Sequence, residues 1–542
     1  MNRAILGFAV FLPALTLQLC GQPVLSNAGI VNATGYQNQL APDTVFVIFG
    51  SGLGPAAIAS ATAPNYPASV GGTSVLFTPL SAGAPVSAKM VYAAASQVAG
   101  LLPSSTAPGT YAVTVTYNGV SSAPQNVVVV PRSFGIATSN SGGTGAAQAT
   151  IGNVNGGISL TRLTSGTLSF DGLTWTLGPA HPGDTLVLWG TGGGADAAND
   201  TGGTSGDQTA AGHFMVTVGS TQIVPVYAGA SSGYPGLWQI NFTLPADIAP
   251  NCFAYTQVTA GGQQSNAVSL PIAPVGQDSC SNPPLSPAVL ARLDAGGNIV
   301  EAQFSVTIAT QGGSIPAASV AFEGVGGNVA QFSAAEWESN FAGIPIGPCS
   351  ATHPSLPDRY LDAGPSFTAS GPGIPAGTVV PVIALPNGPD YQYNPPAKGM
   401  VAGGTYTMTS PGGTQVGPFT ATVTLPSTFT VTNWNSLTAV NRSQPLTINW
   451  TGTGFDQVLI DIQSPNVTLG CTIAASLGTY TIPPAALAYL TPTASGQISV
   501  QALVAADNLL GTALTPSLVA GGQADFGALA PDLATLGTVT IQ

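Results

Sequence analysis

Short runs of alternating apolar and polar residues, separated by Gly and Pro, recur along the chain. Residues 111–117 (Y-A-V-T-V-T-Y) and 419–425 (F-T-A-T-V-T-L) alternate strictly. A period of two is typical of a half-buried β-strand, because successive side chains point to opposite faces of a sheet. No segment between the strands of the N-terminal half has the period of an amphipathic helix. The pattern therefore predicts an all-β protein and disfavours a parallel α/β sheet.

The N-terminal half contains a duplication at an offset of about 140 residues, which is the mark of repeated structural units. Residues 42–54 (P-D-T-V-F-V-I-F-G-S-G-L-G) align with 182–194 (P-G-D-T-L-V-L-W-G-T-G-G-G). Each copy holds five to seven short strands between Gly and Pro turns. This spacing predicts two tandem antiparallel β-sandwiches, at residues 22–131 and 181–276. Residues 132–180 are expected to link them, with a hairpin that turns at Asp171-Gly172.

The aligned segments resemble the opening strand and turn of the IPT/TIG immunoglobulin-like (Ig-like) domain. The first copy begins with G-I-V-N-A at 29–33, and the second contains W-Q-I-N at 238–241 and Q-S-N-A-V at 264–268. Together these motifs resemble a group of secreted bacterial proteins of uncharacterised activity that carry paired IPT/TIG-like domains. The resemblance covers about residues 29–273. It implies an Ig-like fold and export, and it brings no functional residues.

The tail does not repeat this pattern, but it is also rich in strand signals. A domain boundary is expected within residues 278–287, which contain Pro283-Pro284. We predict one or two divergent C-terminal β domains: a β-rich domain at 285–426 and an Ig-like β-sandwich at 429–542. In the second, the strand L-T-I-N-W at 446–450 places Trp450 on a core-facing side.

The composition excludes several kinds of partner. Of 542 residues, only 8 are Lys or Arg and 21 are Asp or Glu, so 5% are charged, against roughly 25% in an ordinary soluble protein. No basic cluster exists to neutralise phosphates, so nucleic acid is excluded as a partner. An uncharged surface of Ser, Thr, Asn and Gln suits neutral polysaccharide or other extracytoplasmic protein domains, since little charge steers encounter.

The amino terminus has the pattern of a secretory signal peptide. A short basic region (residues 1–3) precedes an apolar stretch at 4–17, and cleavage is expected near Gly21. The stretch is shorter than the roughly 20 residues needed to cross a bilayer, so we predict no transmembrane span in the mature chain. Acylation of Cys20 is the open alternative. Either outcome predicts a secreted or cell-surface protein.

Four cysteines follow the leader, and an even number in an exported chain favours disulfides. Three pairings are possible. We predict Cys252–Cys280 and Cys349–Cys471, because each pair then stays within one half of the chain.

No convincing catalytic set occurs, and no cofactor is expected. His181, His213 and His353 accompany no G-x-S-x-G motif. Residues 190–194 (G-T-G-G-G) imitate a dinucleotide fingerprint, but no helix can begin there to hold a pyrophosphate. The only paired acids with an enzymatic interpretation are among Glu301, Glu323, Glu336 and Glu338, of which the last two flank Trp337. A glycoside hydrolase acting through the C-terminal half is thus the least favoured function.

Two binding sites are conceivable. Asp196, Asp200 and Asp207 share one glycine-rich loop and are weak candidates for a calcium site. Trp434, flanked by Asn433 and Asn435, is the candidate for stacking on a sugar ring. The favoured function is a non-catalytic structural or adhesion-type protein, and the alternative is a carbohydrate-binding module protein.

Overall fold

The computed structural model describes residues 22–152, 158–170, 173–204, 206–282, 285–311, 320–341, 344–352, 357–506, 509–510 and 512–542. The predicted leader (including Cys20), the Asp171-Gly172 turn, Pro283-Pro284 and His353 lie outside these residues. The described part is all-β and consists of tandem Ig-like sandwiches followed by a divergent β-rich tail. None of its helices has both the length and the apolar character that a membrane crossing requires.

The first sandwich packs two sheets face to face, in the strand orders β1-β3-β8-β7-β4 and β2-β11-β9-β5-β6, with β10 on β9. Phe46 and Phe77 fill the space between the sheets, together with Val113 and Val115 of β9. The strict alternation of residues 111–117 therefore predicted correctly that one face of this strand packs in the core. The strands are β1 (Val24–Asn32), β2 (Gln39–Leu40), β3 (Val45–Ser51), β4 (Ala59–Ser60), β5 (Thr73–Pro79), β6 (Val86–Ser87), β7 (Lys89–Ala93), β8 (Gln97–Leu101), β9 (Gly109–Tyr117), β10 (Val120–Ser121) and β11 (Gln125–Val129).

The second sandwich is larger than the sequence indicated. Its sheets have the orders β15-β16-β14-β13-β17-β21-β20, with β12 on β17, and β19-β18-β22-β23, with β24 on β22. Its elements are β12 (Gly135–Ile136), β13 (Ala149–Gly152), β14 (Ile158–Thr161), β15 (Gly166–Phe170), β16 (Leu173–Gly178), β17 (Thr185–Thr191), α1 (Thr209–Gly212), β18 (Met215–Val218), β19 (Thr221–Ile223), β20 (Tyr227–Ala230), β21 (Trp238–Thr243), β22 (Asn251–Ala260), β23 (Gln263–Gln264) and β24 (Val268–Ile272).

The described residues between 132 and 180 do not link two sandwiches, as the sequence suggested, but belong to the second one. β13 pairs with β17 from Ala149↔Leu188 to Gly152↔Thr185, and β14 and β16 continue the same sheet. β15 and β16 pair antiparallel from Gly166↔Leu177 to Phe170↔Leu173, as the expected hairpin requires. The division at residue 181 is thus corrected, because backbone pairing joins the segment to the strand that follows it.

The tail is built around one 16-stranded sheet. Thirteen of its strands lie side by side in the order β27-β28-β39-β38-β41-β45-β25-β26-β32-β31-β30-β33-β34, while β29 pairs with β26, and β36 and β44 pair with β45. Its elements are α2 (Pro287–Asp294), β25 (Ile299–Thr310), β26 (Val320–Phe332), α3 (Ala334–Phe341), β27 (Ile344–Ile346), β28 (Cys349–Thr352), β29 (Arg359–Tyr360), β30 (Ser366–Gly371), β31 (Ile374–Leu385), β32 (Gly388–Tyr393), β33 (Gly404–Ser410), β34 (Phe419–Leu425), β35 (Thr428–Val431), β36 (Ala439–Val440), β37 (Leu446–Thr453), β38 (Gln457–Gln463), β39 (Thr468–Ala474), β40 (Thr479–Ile482), α4 (Pro484–Leu487), β41 (Thr493–Leu503), β42 (Ala505–Ala506), β43 (Leu509–Leu510), β44 (Thr512–Ala513) and β45 (Phe526–Ile541).

The long strand β45 belongs to both predicted tail domains. It pairs in parallel with β25 from Glu301↔Phe526 to Thr310↔Thr535, and antiparallel with β41 from Ala502↔Leu533 to Thr493↔Ile541. One hydrophobic cluster likewise extends from Val300 to Ile541. The division into 285–426 and 429–542 therefore cuts through a shared sheet and a shared core. Trp450 lies in that core, as predicted.

A buried polar joint connects the first two sandwiches. The Asp43 carboxylate of the first accepts hydrogen bonds from Asn199 Nδ2 (2.7 Å) and Trp238 Nε1 (3.1 Å) of the second. The Val45 amide also donates to Thr191 Oγ1 (2.9 Å). Asp43 has no accessible surface, and its second oxygen, Oδ1, has no hydrogen-bond partner among the described residues.

Two helices dock the tail on the second sandwich. Ser286 caps α2 by accepting from the Val289 amide (3.3 Å), and Pro287 starts its first turn. At the far end of α2, Asp294 accepts from the amides of Leu163 and Thr164 (both 2.8 Å). On α3, Glu338 accepts from Ser269 Oγ (3.1 Å), and burial raises the pKa of Glu338 to about 7.

One of the two predicted disulfides is confirmed. Cys349 on β28 pairs directly with Cys471 on β39, with their sulfur atoms bonded at 2.06 Å. Cys252 and Cys280 are buried free thiols in this structure, so the second bridge is not formed here. They are nevertheless neighbours: the hydrogen bond with Cys252 and burial raise the pKa of the Cys280 thiol. Oxidation of this pair stays a prediction.

Candidate functional site

One face of the tail sheet is polar and concave. The apolar half of β25, which is Ala302, Phe304, Val306 and Ile308, lies in the core. Because side chains alternate along a strand, the other half faces the opposite side of the sheet: Glu301, Gln303, Ser305 and Thr307. The same alternation applies to β45, where Leu529 and Leu533 are buried and Ala528, Ala530 and Asp532 face the polar side.

Six adjacent strands, in the order β38-β41-β45-β25-β26-β32, carry this face, and together they enclose a hollow of about 690 Å³. The hollow, with these strands as its walls and floor, is named the trough. Its polar lining consists of four acids, four amides and two hydroxyls: Glu301, Asp390, Asp461, Asp532, Gln303, Asn328, Gln392, Gln501, Ser305 and Thr307. The side chains of Phe322 and Phe526 add aromatic surface.

Small residues keep the floor of the trough low. The register places Ala530, Ser305 and Gly326 in one row across β45, β25 and β26, and Gln392 ends that row on β32. A side chain at Gly326 would collide with the carbonyl oxygen of Tyr391 on the neighbouring strand. Glycine is therefore required for β26 and β32 to approach each other.

The acids of the trough lack basic neighbours. Burial raises the pKa of Glu301 to about 7 and that of Asp532 to about 6. For Asp461 the pKa is also about 6, raised by burial first and then by the charge of Asp532. The trough lining contains no Lys, Arg or His. In the described residues, the ion pairs are Lys89–Asp200, His181–Asp184 and Arg292–Asp525, none of which involves a trough acid.

Hydrogen bonds fix part of the polar lining. Asn328 Nδ2 donates to Asp390 (3.0 Å), and Gln501 Nε2 donates to Ser499 (2.8 Å). The Thr307 hydroxyl donates to Asp532 at a longer 3.5 Å. These contacts orient one side of each group and leave other donors and acceptors available to a bound molecule.

The trough continues along the sheet. A second hollow of about 330 Å³ shares Asp461 and Gln501 with it and extends past Gln463, Gln497 and Thr538. The polar face can thus accommodate an extended chain as well as a compact molecule.

The sugar site predicted from the sequence, at Trp434, lies outside the trough. Trp434 is half-buried and packs against Gly537, whose pairing partner Ile498 faces the core. The Trp434 ring therefore contacts the core side of β45, on the face opposite the trough. Asn433 uses both ends of its amide on β37, donating to Thr447 O (2.8 Å) and accepting from the Asn449 amide (2.9 Å). Only Asn435 is exposed.

The three aspartates proposed for calcium do not converge. Asp196 accepts from Gln208 Nε2 (3.2 Å), and Asp200 accepts from Ser104 Oγ (2.9 Å) of the first sandwich. Asp207 accepts from the Thr209 hydroxyl, and that bond lowers the pKa of Asp207. Within the described residues, no three side chains among His, Cys, Asp and Glu form a group that could hold a metal ion.

Of the four glutamates, only Glu301 lines the trough. Glu323 accepts from the amides of Gly399 (3.0 Å) and Met400 (2.9 Å), so it orders a loop. Trp337, which Glu336 and Glu338 flank, is 3% exposed and offers no ring face to a sugar. His181 Nε2 donates to the carbonyl oxygen of Gln277 (2.8 Å) in the second sandwich.

The sequence did contain a signal for the trough. Residues 301–308 alternate as E-A-Q-F-S-V-T-I, and Gly324, Gly326 and Gly327 interrupt β26. The alternation shows that β25 has a polar face, but not that β45 and β38 bring Asp532 and Asp461 beside it. That neighbourhood depends on strand order.

Comparisons with known proteins complete the description. No protein-family model and no curated protein sequence matches the chain. Among solved structures, the chain is similar to the Bacteroides ovatus mixed-linkage glucan utilization locus protein SGBP-B in complex with a mixed-linkage heptasaccharide, at 12% identity and a TM-score of 0.21. That alignment covers 53% of this chain and 59% of SGBP-B, so the chain spans less than two thirds of that structure.

Two tandem arrays are also similar. The I9–I11 tandem of titin aligns at 10% identity and a TM-score of 0.13, covering 71% of this chain and 93% of that chain. Sidekick-1 immunoglobulin domains 1–4 align at 10% identity and a TM-score of 0.12, covering 93% and 95%.

Proposed function

We propose that the protein is a non-catalytic, extracytoplasmic glycan-binding protein, in which the tail trough holds a saccharide chain and the two sandwiches act as a spacer. One observation carries this proposal: a continuous polar, concave face on six adjacent strands. Its volume of about 690 Å³ falls within the range of roughly 300–1,000 Å³ that ligand sites occupy. We also propose that the sandwiches are of the IPT/TIG type and that residues 1–21 export the chain.

The chemistry of the lining suits a polyhydroxylated ligand. Each sugar hydroxyl both donates and accepts, and the trough presents amides such as Gln303 and Gln501 beside carboxylate acceptors. Phe322 and Phe526 supply apolar surface for the C–H faces of sugar rings. Because the trough lining contains acids and no basic side chain, it disfavours the binding of anionic polymers such as nucleic acids and sulfated glycans.

The confirmed Cys349–Cys471 bridge supports the extracytoplasmic part of the proposal. Disulfides persist in oxidising compartments and are rare in the cytosol. A surface with few charges is also compatible with adhesion or scaffolding by the sandwiches, the function favoured from sequence.

A second candidate, glycoside hydrolysis in the trough, is favoured by one pair of groups. Asp461 and Asp532 are close enough for the charge of Asp532 to raise the pKa of Asp461. A pair of neighbouring carboxyl groups is the usual equipment for cleaving a glycosidic bond. Release of reducing ends from a bound polysaccharide, lost in Asp532→Asn, would replace the binding proposal with this one.

The test is binding of purified residues 22–542 to a panel of soluble and insoluble polysaccharides. Gln303→Ala, an exposed trough residue, should weaken retention about fivefold, since a hydrogen bond contributes roughly 1 kcal/mol. Gln263→Ala, on the exposed strand β23 of the second sandwich, is the matched control and should bind as wild type. Equal binding by both variants, or no retention on any glycan, would refute the trough as a glycan site.

A further inference from the structure

Exposed threonines alternate with core residues along neighbouring strands of the tail sheet. β33 (G-T-Y-T-M-T-S) and β34 (F-T-A-T-V-T-L) lie side by side, and β30 pairs with the other edge of β33. Tyr406 and Met408 of β33 are buried, as are Ala421 and Val423 of β34. Because side chains alternate along a strand, the threonines between them face away from the core. We name the six threonines of these two strands the threonine face: Thr405, Thr407, Thr409, Thr420, Thr422 and Thr424.

The strand register makes this face an ordered array. Each threonine of β33 lies directly opposite a threonine of β34, and Thr368 and Ser370 of β30 extend two of the three rows. The hydroxyl oxygens of the three pairs are hydrogen-bonded at 3.1, 3.2 and 3.3 Å: Thr409–Thr420, Thr407–Thr422 and Thr405–Thr424. Because a side chain that is branched at Cβ has few χ1 rotamers, these hydroxyls are held in place before any partner arrives.

The hydroxyl pairs repeat in two dimensions and keep hydrogen-bonding capacity for a partner. Neighbouring strands lie roughly 4.8 Å apart, and side chains on one face recur about every 6.8 Å along a strand. A threonine hydroxyl carries one donor and two lone pairs. Since the bond within a pair uses one donor and one lone pair, each pair still offers a proton and further lone pairs to an outside molecule.

No charge interrupts this surface. The sequences of β30, β33 and β34 contain no charged residue. The same holds for β35, β37 and β40 of the next sheet, where Thr447–Thr481 (2.8 Å) and Thr428–Thr453 (3.4 Å) form pairs of the same kind. β35 follows β34 after only Pro426 and Ser427, and the apolar residues of both strands lie in one core. The outer side of this core is thus uncharged and rich in paired hydroxyls.

We propose that the threonine face binds the surface of ice crystals, a function separate from glycan binding in the trough. A complementary partner must be uncharged, repeat in two dimensions, and both donate and accept hydrogen bonds at each repeat. Water molecules at an ice surface meet all three conditions. The threonine methyl groups between the hydroxyls also restrict the orientation of the water that covers them. A single saccharide chain repeats in one direction only, and none of the six side chains of this face is an aromatic ring on which a sugar could stack.

The experiment grows ice slowly in a dilute solution of purified residues 22–542 and measures the protein in the ice and in the remaining liquid. The wild type should enter the ice, which excludes ordinary solutes. Thr422→Tyr places a ring above the exposed middle row. It should lower the uptake at least about tenfold, as the loss of a central contact does in a complementary interface. Because Tyr is favoured in strands, the variant should stay folded, and thermal unfolding checks this.

Thr243→Tyr is the matched control, because Thr243 is also exposed and bonded to a threonine across the strand (Thr185, 2.9 Å), but in the second sandwich. It should enter ice as the wild type does, and so should Gln303→Ala, which alters the trough. Exclusion of the wild type from ice, or equal uptake of Thr422→Tyr, would overturn the inference. Loss of uptake in Gln303→Ala would also overturn it, by placing the ice contact in the trough. Retention on an insoluble polysaccharide that Thr422→Tyr abolishes, without uptake into ice, would assign the face to a glycan instead.

Discussion

Asp43 contributes a fully buried carboxyl group to the contact between the two sandwiches. Burial raises its pKa from 3.8 to about 8, against the opposing hydrogen bonds from Trp238 and Asn199; Asp200 and Asp196 add a smaller rise. A folded-state pKa above the unfolded value means that the native protein binds the proton more tightly. This contribution to stability is complete below about pH 4 and is lost progressively as the pH rises to about 8.

Asp43→Asn should remove that loss. The amide keeps an acceptor for Trp238 and Asn199 but does not titrate, so stability should fall less between pH 5 and pH 8 than in the wild type. The difference between the two proteins should grow by at least about 1 kcal/mol across this interval. Urea unfolding, followed by Trp fluorescence, measures it. Parallel pH profiles for variant and wild type would contradict the assignment of Asp43 as a buried protonated acid.

Cys252 and Cys280 lead to a second prediction at this scale. Their direct contact predicts that protein secreted under oxidising conditions contains the bridge, with a disulfide exchange partner accepting the electrons. Non-reducing peptide mapping should recover both bridges, and Cys252→Ser/Cys280→Ser should lower stability by about 2–4 kcal/mol. Alkylation of both thiols in unreduced, denatured protein would show that the pair stays reduced.

Individual strands were predictable where alternation is strict and glycine is scarce. β9 and β34 lie where the sequence placed them. Their apolar side chains all lie on one face of the strand, and that face has to pack against the core. β26 was missed as a long strand, because Gly324, Gly326 and Gly327 are typical of a turn. Gly324 and Gly326 admit the backbone of β32 at close range, and Gly327 admits that of β25; local sequence contains no information about these neighbours.

Gly326→Ala tests this interpretation of β26. The added methyl group would meet the Tyr391 carbonyl and push β32 away, which should cost about 1–3 kcal/mol as overpacking does. Gly166→Ala, where the nearest heavy atom is 3.6 Å from the new carbon, is the control and should stay within about 0.5 kcal/mol. Equal stabilities of the two variants in thermal unfolding would mean that β26 and β32 are looser than described.

At the scale of the whole molecule, sequence predicted the fold class and the first sandwich but placed two divisions wrongly. β12 and β13, which lie between residues 132 and 180, pair with β17, and β45 pairs with both β25 and β41. Both errors have the same origin, since a boundary inferred from Gly- and Pro-rich composition does not show which distant strand completes a sheet. The trough was missed for this reason too, as its acids come from strands far apart in the chain.

The shared strand makes the tail a single folding unit. Fragments 285–425 and 429–542 expressed separately should lack cooperative thermal transitions, because each exposes a long strand edge and half of one core. Fragment 285–542 should unfold cooperatively, as followed by circular dichroism. A cooperative transition in fragment 285–425 alone would show that β45 is dispensable for its sheet.

The position of β45 also sets the order in which the chain folds during the export that we propose. Val300 and Asp525 are hydrogen-bonded across 225 residues of chain. The edge of β25 that pairs with β45 therefore stays unpaired until the whole intervening segment has emerged. Pairings of such long sequence separation form slowly. The two sandwiches, completed from nearby strands, can close early, while the tail remains open to chaperones and to oxidation at Cys349 until its last strand arrives. For a translocation machine that requires an unfolded substrate, the trough would thus be the part of the protein that stays unfolded longest.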